Sequence, residues 1–182
     1  MDGIGNNIVL IGFMGSGKTS VGLKLSYRLR IPVEDTDKLI ENRQGVTVSE
    51  IFAAKGEEAF RRMETELLQE LGQRPYGRIL SVGGGTPVRE ENRKLLKQCG
   101  TVVYLRAEAE TIYERLKGDT TRPLLQCEDP LGRIRELLAA RESAYGECAD
   151  VTVDVDDIGI ELIVEQIVNA LQRTEKGRGR EE

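Results

Sequence analysis

Gly12-Phe13-Met14-Gly15-Ser16-Gly17-Lys18-Thr19 has the spacing G-x-x-x-x-G-K-[ST]. Chemistry explains the residue types. Glycines let the backbone turn until successive N–H groups converge on phosphate oxygens, and a helix opening at that point adds positive potential. The pattern therefore assigns Gly15, Ser16, Gly17, Lys18, Thr19 and Ser20 to a nucleoside triphosphate, with Lys18 bridging the β- and γ-phosphates and Thr19 offering its hydroxyl to Mg²⁺. A glycine turn with an exposed lysine is the bland alternative, but the periodic apolar residues on both sides favour a strand, a loop and a helix. The loop specifies a nucleotide without saying what is done with it. A GTPase would carry N-K-x-D for its base, and the chain has no such motif.

The chain contains no histidine. Histidine triads and histidine-held metals are thereby excluded; a proton acceptor must be a carboxylate, and a metal ion is expected to be a hard one on oxygen ligands. Asp35 and Asp37 end a second apolar run, expected to lie beside the strand of the phosphate loop, so that both carboxylates face the γ-phosphate. The competing reading is that they cap the next helix, which need not prevent catalysis. Arg61 has the planar guanidinium suited to a carboxylate, although its i,i+3 spacing to Glu64 also fits a plain helix ion pair. Gly83-Gly84-Gly85 ends another apolar run, where missing side chains let backbone N–H groups approach a ligand, or else forms a loose turn. Arg122 sits in a polar segment that closure would bring onto the transferred phosphoryl group, unless it only solvates a loop.

The elements around these residues alternate. Ile8–Ile11 reads as a strand and Lys18 onward as a helix, with Val21, Leu25 and Leu29 on one face. Ile31-Pro32-Val33 is a weaker strand. Thr47-Val48-Ser49-Glu50 has capping-box spacing for a short helix stopped at Gly56, and Phe60, Met63, Leu67 and Leu71 mark a longer one. Strands follow at Ile79–Val82, Thr101–Leu105 and Val151–Val155, with helices at Glu90–Gln98, Ala109–Lys117, Leu131–Tyr145 and from Ile160 to Leu171. Residues 118–130 are long and polar for a connection, the profile of a lid. Five strands alternating with helices predict one α/β domain over residues 1–171, a parallel sheet flanked by helices in three layers with ligands at the carboxyl ends of its strands, and a disordered charged tail over 172–182.

In order and spacing, the phosphate loop, Asp35-Thr36-Asp37, Phe60-Arg61-Arg62 with Glu64, Gly83-Gly84-Gly85, Thr121-Arg122-Pro123-Leu124, and Arg141 with Tyr145 four residues on together resemble the shikimate kinase family, from about Asn7 to Leu171. The resemblance implies a P-loop kinase fold and transfer of the γ-phosphoryl group of ATP to the 3-hydroxyl of shikimate, on the route to chorismate and the aromatic amino acids. It puts Asp35 near Mg²⁺, through water, and near the reacting hydroxyl. It puts Asp37 on shikimate hydroxyls, Arg61 and Arg141 on the shikimate carboxylate, Gly83 with Gly84 and Gly85 at the substrate, and Arg115 against adenine. Lys18, Asp35 and Arg122 are then the catalytic set. Two departures stand out: Asp154–Gly159 offers no arginine or proline to align with an adenine loop, and Glu34 adds a third carboxylate beside the pair. A related small-molecule kinase, acting on gluconate or a nucleoside monophosphate, and a non-catalytic nucleotide-binding module are the other readings. The paired arginines argue against the first, and Thr19, Asp35 and Arg122 together against the second.

Composition sets the remaining bounds. The 182 residues are 39% hydrophobic and 31% charged with a net charge of −5, which supplies no broad basic field for nucleic acid. Met1–Asn7 has no signal-like pattern and no apolar run approaches a membrane span, so a cytoplasmic protein is expected. Cys99, Cys127 and Cys148 are widely spaced and odd in number, which suits structural thiols in a reducing compartment. No apolar surface stripe calls for a partner, and a monomer is expected.

Overall fold

A computed structural model describes residues 7–74, 77–119 and 126–178. Five parallel strands form one sheet: β1 (Asn7–Ile11), β2 (Val33–Asp35), β3 (Ile79–Ser81), β4 (Gly100–Arg106) and β5 (Val151–Asp154), in the order β2-β3-β1-β4-β5. β1 is central and all five of its residues are buried, the mark of a strand covered on both faces. Its one polar residue, Asn7, donates Nδ2 to Cys99 O at 2.8 Å.

Helices flank the sheet. α1 (Lys18–Leu29) packs with α7 (Ile160–Arg178) and reaches β2 and β3. α4 (Glu90–Cys99) packs with α3 (Val48–Leu71) and α6 (Pro130–Cys148) and reaches β1 and β4, while α5 (Ala109–Leu116) packs on α6. Among the described residues no helix is long and apolar enough to cross a membrane. Cys99 and Cys148 are buried thiols, each pushed up to about 11 by burial, and Cys127 is exposed.

The expected capping box forms. Thr47 Oγ1 accepts from Glu50 N, and the Glu50 carboxylate accepts from Thr47 N at 2.7 Å. The stop at Gly56 is a kink inside α3, where φ is 79°. Asp129 caps α6, its side chain accepting from Gly132 N at 2.9 Å.

Four features differ from the sequence reading. β2 begins after Pro32 rather than through it, since proline has no N–H for a ladder, although Pro32 O accepts from Ile79 N at 2.8 Å. β2 is also not beside β1, because β3 lies between them. An unexpected helix, α2 (Thr36–Gln44), starts immediately after Asp35. In addition, α7 continues past Leu171 to Arg178, so residues 172–178, expected to be disordered, extend a helix. Gln172, Arg173, Glu175 and Lys176 are helix formers with no proline among them. Residues 179–182 and 120–125, and with them Arg122, lie outside the described residues.

Candidate active site

The phosphate loop joins β1 to α1 with Gly15 at φ 79° and Gly17 at φ 99°. A side chain at Gly15 would also stand 3.0 to 3.2 Å from Leu116 atoms. Both needs explain why glycine is used there. Lys18 Nζ folds back onto Gly12 O at 2.7 Å and Phe13 O at 3.0 Å. Thr19 and Ser20 are exposed in the first turn of α1, and Ser16 Oγ is buried without a hydrogen-bond partner among the described residues. A buried hydroxyl without a partner is costly, which fits a place prepared for a polar ligand. Arg115 reaches across from α5. Its Nη1 donates to Gly15 O and Ser16 O, both at 3.3 Å, and its Nη2 to Val155 O at 2.8 Å. It thus ties the phosphate loop to the loop after β5.

Asp35 is the N-cap of α2, its Oδ1 accepting from Asp37 N at 3.0 Å and Lys38 N at 3.2 Å. Thr36 stitches the start of that helix to the end of β3, donating to Ser81 O at 3.4 Å and accepting from Gly83 N at 3.3 Å. Asp37 is turned inward by this start. Its Oδ1 is buried with no hydrogen-bond partner among the described residues, and a Cβ at Gly83 would come within 2.8 Å of it. Burial, reinforced by the charges of Asp35 and Glu64, pushes the Asp37 carboxyl up to about 6, with Lys18 and Arg61 pulling the other way. The lysine of the phosphate loop and the arginine of α3 therefore both act on one carboxylate.

Arg61 lies against Gly85, where any side chain would collide with its guanidinium. Its Nη1 pairs with Glu64 at 2.7 Å and its Nη2 with exposed Glu57 at 3.0 Å. The helix ion pair is thus real, but Glu64 is buried and also accepts from the Thr86 hydroxyl. A buried carboxylate so held fixes Arg61 in place. From the other side, Arg141 of α6 stands over the Phe13 ring of the phosphate loop at 5.4 Å, and Tyr145, one turn on, donates its hydroxyl to Gly84 O at 2.6 Å. Gly84 itself abuts Gly12 O and Met14 N.

Every expected site residue that the structure describes thus converges on the carboxyl ends of β1, β2 and β3. Glu34 does not join them, because its carboxylate takes Arg78 Nη1 at 3.1 and 3.3 Å. Sequence reasoning missed Thr86 and Asn92, which buttress Glu64 and the glycine segment. The available signal was a polar asparagine at a buried helical position, where asparagine is a poor helix former.

A family model described as shikimate kinase matches residues 14–172. The shikimate kinase of Symbiobacterium thermophilum is 46% identical over 174 residues, 94% of this chain and 99% of that one. That of Thermodesulfovibrio yellowstonii is 42% identical over 172 residues, 94% of this chain and 98% of that one. Among solved structures, the shikimate kinase from Acinetobacter baumannii in complex with shikimate superposes with a TM-score of 0.86 at 38% identity, covering 93% of this chain and 94% of that one. A gluconokinase from Sinorhizobium meliloti, at 20% identity and a TM-score of 0.65, shares the fold alone. Identity at this level over almost the full length, on the same sheet, means that the chain belongs to the shikimate kinase family.

Proposed function

We infer that the chain phosphorylates the 3-hydroxyl of shikimate from ATP, the activity of its family, through the residues gathered at this cleft. The observation that carries the residue roles is the buried Asp37 Oδ1, which lacks a hydrogen-bond partner among the described residues and lies beside Gly83, with Lys18 and Arg61 both near enough to favour its charge.

Backbone N–H groups of Gly15, Ser16, Gly17 and Lys18 cradle the phosphates, with the Thr19 and Ser20 hydroxyls at the helix start. Lys18 exchanges the Gly12 and Phe13 carbonyls for β- and γ-phosphate oxygens, and Ser16 Oγ gains the partner it lacks. Arg115 forms the floor between the loop and the adenine side. At the acceptor, Arg61 and Arg141 enter from two helices and grip the shikimate carboxylate, for which paired guanidinium groups are suited. Asp37 accepts hydrogen bonds from ring hydroxyls, which relieves its unsatisfied Oδ1, and the Gly83–Gly85 backbone closes over the ring. Asp35, anchored to backbone through Oδ1, presents its other oxygen to the reacting hydroxyl, orients it, and takes its proton late in a loose transition state. Arg122, outside the described residues, is the candidate to supply positive charge to the transferred group.

Among the described residues no cluster of three or more histidine, cysteine or acidic side chains is disposed to cage a metal. One hydroxyl and one carboxylate beside a polyphosphate are the sparse oxygen set that Mg²⁺ takes, so Thr19 and Asp35, the latter through water, are the residues that would hold it. When bound with ATP, Mg²⁺ neutralises charge on the β- and γ-phosphate oxygens.

The test is a coupled ADP-release assay with Mg²⁺, ATP and a panel of acceptors. Turnover is expected with shikimate and not with gluconate or nucleoside monophosphates. Faster turnover on either of the latter would overturn the substrate assignment.

A further inference from the structure

The glycine segment runs into a single 3₁₀ turn, Thr86–Val88, whose three carbonyls are all taken by two adjacent residues of α4. Buried Asn92 donates Nδ2 to Thr86 O at 3.1 Å. Arg93 donates Nη1 to Pro87 O at 2.9 Å and to Val88 O at 3.0 Å.

Each residue also reaches a helix that carries one of the acceptor arginines. Thr65 Oγ1, one turn after Arg61 in α3, donates to Asn92 Oδ1 at 2.7 Å. Arg93 Nη2 pairs at 3.2 Å with Glu147 of α6, the helix of Arg141 and Tyr145. The turn closes a second circuit to the first arginine, since the Thr86 hydroxyl bonds Glu64 and Glu64 holds Arg61 at 2.7 Å. The glycine segment is thereby held from three helices at once.

Packing alone does not ask for these residue types. An asparagine inside a helix is less favourable than leucine or alanine, and burying its amide requires that each of its polar atoms find a partner. Arg93 is 18% exposed in its side chain, so a large charged group is drawn mostly out of water to bind carbonyls. What the pair achieves is geometric: it fixes the turn between α3 and α6, and with it the separation of Arg61 and Arg141.

We propose that Asn92 and Arg93 are positioning residues of the acceptor subsite, which set the spacing of the two arginines by locking the turn after the glycines to α3 and α6. The inference deepens the proposed function and rests on its assignment of Arg61 and Arg141 to the acceptor carboxylate. Both residues spend their donors on the turn and on Glu147 instead of on an acceptor substrate. Their effect is on the grip, where displacement of a clamp by about 1 Å is enough to lose up to a hundredfold in rate.

The test compares wild type, Arg93→Met and Arg93→Lys in KM for shikimate, KM for ATP, kcat and melting temperature. Arg93→Met keeps the stem and removes the donors. It is expected to raise the shikimate KM about tenfold while the ATP KM stays within about twofold. Arg93→Lys, which still offers an ammonium to the carbonyls, is expected to recover most of the loss. Should Arg93→Met fail to fold, Glu147→Gln at the exposed end of the same latch carries the comparison, with an expected rise of about threefold. A lowered melting temperature with an unchanged shikimate KM, or a parallel rise in both KM values, would overturn the inference. Absence of shikimate phosphorylation by the wild type would overturn the functional reading as well, whereas an active wild type beside an indifferent variant sinks only the positioning role.

Discussion

Burial strips the Asp37 carboxyl of water, and Asp35 and Glu64 repel its charge, so that it is pushed up to about 6 from its ordinary value of 3.8. An acid that binds its proton more tightly when folded destabilises the fold as pH rises between those two values, and the deficit persists above the upper one. At about 1.4 kcal/mol per tenfold, the interval amounts to about 3 kcal/mol at pH 8. At pH 4 the same linkage leaves less than about 1 kcal/mol, since the carboxyl is then largely protonated in the folded state. Asp37→Asn keeps the shape without the charge. Allowing for an amide that must still find partners, it is expected to stabilise the protein at pH 8 by about 1–3 kcal/mol, a rise in melting temperature of several degrees for a chain of this size, and by far less at pH 4. The assay is thermal melting of wild type and variant from pH 4 to 8, with chelator and without nucleotide. In the coupled assay the same substitution should raise the shikimate KM about tenfold or more, because it removes a charged acceptor of ring hydroxyls, and leave the ATP KM nearly unchanged. Identical pH dependence in the two proteins, or a variant less stable at pH 8, would refute the reasoning.

Lys18→Met removes the cation that bridges the β- and γ-phosphates and should lower kcat at least about a hundredfold with the melting curve little changed; retained turnover would take the phosphate loop out of the mechanism. Gly85→Ala places a Cβ against the Arg61 guanidinium, 2.6 Å from Nη1 and 2.7 Å from Cζ. The far end of that side chain can move, so the fold should survive while the shikimate KM rises about tenfold, and an unaltered shikimate KM would show that Arg61 does not need its present place.

What could be read without the structure divides along a physical line. The phosphate loop was legible because its chemistry needs eight contiguous residues, and the helix start at Thr47 and the stop at Gly56 because caps and positive-φ kinks are local events. The family's spaced motifs carried Asp35, Asp37, Arg61 and Arg141. α2 was missed because Thr36–Gln44 buries only Thr36 and Ile40 and shows almost no apolar stripe; its sequence signal was the Asp35 cap, which read as one of two options. The place of β3 between β2 and β1 is a long-range pairing, Asp35 with Ser81 and Leu10 with Ser81, that no local pattern encodes. The Glu64–Thr86 and Thr65–Asn92 bonds join residues more than twenty apart and escaped for the same reason.

That missing helix explains how two carboxylates a single residue apart come to differ. Because α2 starts at Thr36, Asp35 meets the free N–H groups of the first turn and fastens through Oδ1, while Asp37, already inside the turn, can only point across toward Gly83. One carboxylate is thus satisfied by the backbone and rigid. The other is buried, short of a hydrogen bond, and pushed up in pKa. A rigid oxygen suits orientation of a single reacting hydroxyl, and an unsatisfied one suits recognition, since hydroxyls that fill it are rewarded and acceptors lacking them leave it unpaired. On the proposed roles, capping and catalysis are one arrangement at Asp35, and the specificity of the cleft follows from the start of a helix as much as from its charges.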